Sequence, residues 1–140
     1  MRLQILVAGL LMAAATPAFA ADPVEGVWLT ESGSGKVMIA PCPGQPNRMC
    51  GRLTWLKNAA EQTSQDTHNP DAALKTRSIL GMPMLWNFKQ ASPGKWTGGK
   101  IYDPNSGKTY DSKISFAANG ALKVEGCILV VCQAQAWRRG

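Results

Sequence analysis

The stretch from Trp96 to Tyr110 constrains the fold most. Two runs rich in aromatic and β-branched residues flank Asp103-Pro104-Asn105-Ser106-Gly107. Pro104 pre-sets φ for the second turn position, Asp103 and Asn105 can accept hydrogen bonds from nearby backbone N–H groups, and Gly107 tolerates positive φ at the return. The stretch therefore reads as a β-hairpin with a loop at Asp103–Gly107. That loop predicts Tyr102 opposite Lys108 and Lys100 opposite Tyr110. Strand alternation then places Trp96, Gly98, Lys100, Tyr102, Lys108, Tyr110 and Ile114 on one face.

The chain on either side offers more strands of the same kind. Val24–Glu31, Lys36–Ala40, Cys50–Lys57, Met84–Gln90, Lys95–Tyr102, Lys108–Ala117, Ala121–Cys127 and Cys132–Arg138 are short runs separated by turn signals such as Ser92-Pro93-Gly94 and Asn119-Gly120. In the third run Leu53 and Trp55 are expected on one face. Eight sequential strands predict an all-β fold, an eight-stranded antiparallel up-and-down barrel, since closure removes the exposed edges of an open sheet. Gly98-Gly99 supplies the bend or bulge that a barrel corner needs. The 58–80 segment interrupts the pattern. There Asn69-Pro70-Asp71 reads as a helix start, predicting one short helix of about two turns through Arg77.

Residues 1–20 read as a cleaved signal peptide: Arg2, an apolar core from Ile5 to Ala15, and the small-x-small site Ala18-Phe19-Ala20. Residues 21–140 then form a single barrel domain, periplasmic or secreted. No other run has the length to cross a membrane. Without Arg2 the chain carries fourteen basic and nine acidic residues, a net charge of +5. The charges are scattered, with no aromatic–basic interleaving, which argues against nucleic acid. Four cysteines in an exported chain predict disulfides. Local pairing, Cys42 with Cys50 and Cys127 with Cys132, is expected. The second pair would be about 17 Å apart in an extended strand, so the chain must turn through Ile128-Leu129-Val130-Val131. A zinc site is disfavoured because neither pair is CxxC and His68 is distant.

Gly26-Val27-Trp28 on the first strand, with Arg138 after Trp137 on the last, resembles the calycin pattern of lipocalins and their relatives. That resemblance implies that Arg138 packs over Trp28 and closes the barrel base. Most of the chain is also similar to the bacterial DUF2147 family. The similarity lies in Asp22-Pro23-Val24-Glu25-Gly26-Val27-Trp28, Cys50-Gly51-Arg52-Leu53, Asn69-Pro70-Asp71, Trp96-Thr97-Gly98-Gly99-Lys100-Ile101-Tyr102-Asp103-Pro104, Gly107-Lys108-Thr109-Tyr110 and Cys132-Gln133-Ala134-Gln135-Ala136-Trp137. It implies export and a calycin-like barrel, and supplies no activity. The family's Arg-Pro-Leu-like ending of the 58–80 segment is here Arg77-Ser78-Ile79, without the proline.

No catalytic constellation is legible. His68 is the only histidine, no serine sits in Gly-x-Ser-x-Gly, and Gly107-Lys108-Thr109 lacks the first glycine of a phosphate loop. Asp66 and Asp71 read as a turn cap and a helix-start acid. No metal or cofactor is implied. An inward aromatic wall of Trp55, Trp96, Tyr102 and Tyr110 with Lys100 and Lys108 near one mouth would suit a small lipid-like ligand with an acidic head. The competing reading is a filled barrel that serves as a structural or partner-binding module of the envelope. Its contact would be the apolar turn Ile128, Leu129, Val130 and Val131.

Overall fold

A computed structural model describes residues 21–140, with Gly9 and Met12; the expected leader at residues 1–20 otherwise lies outside the described residues. The eight strands are β1 (Gly26–Leu29), β2 (Gly35–Cys42), β3 (Gln45–Leu56), β4 (Pro83–Ser92), β5 (Lys95–Asp103), β6 (Lys108–Phe116), β7 (Leu122–Ile128) and β8 (Val131–Arg139). They form a closed barrel in sequence order, every neighbouring pair antiparallel. Turns β2–β3, β4–β5 and β6–β7 lie at the end where the chain enters β1 and leaves β8. The connections β1–β2, β3–β4, β5–β6 and β7–β8 gather at the other end.

The entry end is sealed. Trp28, Trp137, Leu122 and Val24 are fully buried there, and Phe116 meets Trp28 edge-on at 6.3 Å. The Trp28 indole N–H donates to the Val24 carbonyl at 2.8 Å. Arg139, not Arg138, closes this base. Its guanidinium lies 4.0 Å from the centre of the Trp28 ring and donates to the Glu25 and Pro23 carbonyls at 2.6 and 2.7 Å. Period-two alternation explains the correction: Trp28 pairs with Arg139 and Leu29 with Arg138, so Arg138 points to the outside.

Higher in the barrel, side chains fill the interior from strand to strand. Leu85 of β4 packs onto Gly51 of β3, and Phe88 lies flat on Gly99 of β5, where a Cβ would fall inside its ring. Val37, Ile39, Met49, Leu53, Ile114 and Val124 complete this layer. The middle of the barrel is thus a packed floor.

Two details depart from the expected pattern. The β5–β6 loop is one residue shorter, so Asp103 faces Lys108 and Ile101 faces Tyr110. Gly98 is also a bulge residue with φ of 67°, and the pairing slips between Trp96 and Gly99. The two changes place Ile101 inward with Tyr110, and turn Lys100 and Tyr102 to the outside. The 58–80 segment holds two 3-10 turns, Ala59–Thr63 and Ala72–Leu74, in place of a two-turn helix. Asp71 is the cap of the second, accepting from the Ala73 N–H at 3.0 Å, while the Asn69 side chain accepts from the Asp71 N–H at 2.8 Å. The Asn69 amide also donates to Asp66 at 2.9 Å.

Both disulfides form locally. Cys42–Cys50 braces the β2–β3 hairpin, whose tip is Pro43-Gly44. Cys127–Cys132 joins directly opposed residues of β7 and β8, with the chain turning at Leu129-Val130.

Candidate functional site at the loop-bearing end

The 57–82 segment is tied down by one buried carboxylate. Asp66 has no solvent exposure. It accepts from the Tyr102 hydroxyl at 2.5 Å, from Asn69 Nδ2 at 2.9 Å and from Arg77 Nε at 2.9 Å. Burial alone would raise the Asp66 pKa, but the three donors and the Arg77 charge outweigh it and hold the pKa below the usual 3.8. Burial, then the facing carboxylate, pushes the Tyr102 phenol up to about 12. The Arg77 guanidinium also sits 5.5 Å from the Tyr102 ring centre. The two legs of the segment pair at Gln65 and Ser78. The His68 carbonyl presses so closely on Gly107 that a Cβ there would overlap it. Tyr102 is therefore the outer-face anchor of this segment and is not part of a binding wall.

Beside this anchored segment the mouth is open. Above the packed floor, Ile101, Lys108, Tyr110, Gly126, Gln133 and Gln135 share the inner face by register. Gln133 and Gln135 are exposed although they face inward, because β1 stops short of them. A Cβ on Gly126 would only touch Ile101 at 3.7 Å and Tyr110 at 3.8 Å, so the absent side chain leaves a recess. A concavity of about 470 Å³ opens at the rim between β6 and the β7–β8 tip, lined by Lys108, Tyr110, Ile128 and Leu129 with Lys100 and Asp111. A second, of about 450 Å³, lies on the outer wall below the tip.

The structure thus brings Lys100, Lys108 and Tyr110 together and separates the other three expected wall residues. Lys100 is ion-paired with Asp111, directly opposite on the outer face. Trp96 is buried in the core. Trp55 lies on the outer face beneath the Lys36 ammonium, 5.0 Å from its ring centre, because a bulge at Thr54 separates it from Leu53. Ile128 and Leu129 join the rim; their sequence signal was the apolar turn itself. Asp111 was missed because the longer loop placed Tyr110 opposite Lys100. Among the described residues no group of acids, histidine and cysteines is placed to hold a metal, and no helix is long and apolar enough to cross a membrane.

The closed eight-stranded antiparallel barrel is lipocalin-like in fold. It is similar to the solved structure of a Helicobacter pylori protein described as belonging to the lipocalin family. The TM-score is 0.74 at 19% identity, covering 84% of this chain and 82% of that one. The chain itself belongs to DUF2147, a family of uncharacterised proteins conserved in bacteria, which it matches over residues 26–139. A search of curated protein sequences finds no match.

Proposed function

We propose that the protein is an exported binding protein of the bacterial envelope that holds a small amphipathic molecule with an acidic head at the rim of its barrel. One observation carries this reading: Lys108 and Tyr110 meet the exposed apolar residues Ile128 and Leu129 in a single concavity beside an open mouth. The ligand's apolar body lies along Tyr110, Ile128 and Leu129 and enters the Gly126 recess, and its head meets the Lys108 ammonium. Lys100 contributes less, because Asp111 already neutralises it. The lipocalin-like architecture is compatible with the reading: an eight-stranded barrel either fills its interior with side chains or holds one small ligand, and here the filled floor confines a ligand to the rim.

Native mass spectrometry of protein purified from its own host tests both halves. The expected spectrum shows a chain beginning near Ala21 with a bound acidic lipid. Titration with a medium-chain fatty acid, followed by calorimetry, should show affinity falling about tenfold in Lys108→Met and little change in Lys100→Met. Equal affinity in the Lys108 variant, or an uncut chain, would remove the corresponding half.

A further inference from the structure

The β7–β8 hairpin extends past the point where β1 stops. β1 pairs with β8 only at Trp28–Arg139 and Leu29–Arg138. Among the described residues, Val131 to Ala136 therefore has a strand partner on the β7 side alone. The direction of its free backbone groups follows from geometry. Cys127 and Cys132 are directly opposed with Cα atoms 4.0 Å apart, the close spacing of a pair that exchanges no backbone hydrogen bonds. The Cys132 N–H and C=O thus point away from β7, as do those of Ala134 and Ala136 two and four residues on. The Ala136 N–H agrees: it donates outward to Glu31 Oε1 at 3.4 Å.

Cys132 and Ala134 have no comparable guard. Exposed edges are ordinarily blunted by charge, proline or a bulge. Here Ile128 through Trp137 contains neither a charged residue nor a proline. The side chains at Cys132, Ala134 and Ala136 are small enough for another backbone to approach. At the end of this edge the stapled tip presents Ile128, Leu129, Val130 and Val131 at 66%, 90%, 94% and 69% exposure.

We propose that this edge is a self-association surface, where two copies of the chain pair β8 to β8, antiparallel, about a two-fold axis at Cys132. In that register Cys132 faces its own copy and Ala134 faces Val130 of the second copy. The outward-pointing groups of alternate residues meet one another, which is the self-complementarity a two-fold contact requires. Each tip then lies beside Ala134 of the other copy, on opposite sides of the axis, and Val130 and Val131 leave water. A register centred further along, at Ala136, would drive each tip into the other copy's β1, which already occupies the edge beside Arg138. The contact is one short ribbon and two tips, smaller than a standard stable interface, so association is weak and concentration-dependent.

Sedimentation equilibrium of the purified protein, from micromolar to millimolar concentration, should show monomer and dimer in exchange. Ala134→Pro removes an edge N–H that bonds nothing in the monomer, so the melting temperature should hold while the dimer dissociation constant rises about tenfold or more. Val130→Lys should do the same by placing a solvated charge against the other copy's edge at Ala134. Hydrogen exchange at the Cys132 and Ala134 amides should slow as concentration rises. A monomer at every concentration would overturn the proposal, even if the edge captured a foreign strand. A dimer indifferent to both substitutions would overturn it as well. The ligand reading stands or falls separately, since neither substitution touches Lys108 or Tyr110.

Discussion

Arg138 and Arg139 are chemically identical neighbours with opposite fates. The sequence shows an arginine pair after Trp137 and a tryptophan on the first strand, and it is the resemblance to the calycin pattern that implies a clasp between them. Choosing the right arginine needs the β1–β8 register, and that depends on pairing between the two ends of the chain, which no local pattern encodes. Arg139 stacks on Trp28 and satisfies two backbone carbonyls. Arg139→Ala should therefore cost about 2 kcal/mol, whereas Arg138→Ala should stay within about 0.5 kcal/mol. Urea unfolding of the two variants side by side checks this, and equal losses would mean that the stack contributes nothing.

Among the elements, the strands were the most legible and the 57–82 segment the least. Each strand end carries its own turn chemistry, at Pro93-Gly94, Asn105-Ser106 and Asn119-Gly120, so the eight runs could be placed without tertiary information. Face assignment failed wherever a bulge intervened, at Gly98 and Thr54, because a slip of one residue exchanges inside for outside. The segment's organising contact, Asp66 with Tyr102, spans 36 positions and has no local signature; Asp66 looked like any turn acid. The contact makes a pH prediction. The folded Asp66 pKa lies below its unfolded value of 3.8, so its stabilisation is fully present above that value and is lost as pH falls through the folded pKa. Protection factors of the 65–78 amides, corrected for the intrinsic exchange rate at each pH, should accordingly be lower in strong acid than at neutral pH, before the barrel itself opens. Asp66→Asn should already show the loosened state at neutral pH, at a cost of about 2 kcal/mol. At the alkaline end, phenolate absorbance from Tyr102 should emerge near pH 12, and earlier in that variant.

At the scale of the whole molecule, the barrel is solid in its middle and open at one rim, and two glycines separate these regimes. Gly99→Ala drives a methyl into the Phe88 ring and should cost about 3 kcal/mol, the upper end for overpacking. Gly126→Ala adds a Cβ that meets only ordinary contacts at Ile101 and Tyr110. It should fold within about 0.5 kcal/mol of the parent and weaken fatty-acid binding, measured by calorimetry. Unchanged binding would move the ligand's body away from the mouth. The clasp at the opposite end has a temporal consequence. Its arginine reaches carbonyls 114 and 116 positions away, whereas all other strand pairs are neighbours in the chain and can zip as they emerge. Joining the two ends carries the largest loop-closure penalty, so the seam forms last. Until then the newborn chain is a curling ribbon with two sticky margins, and the time spent in that state sets its exposure to proteases and to its neighbours.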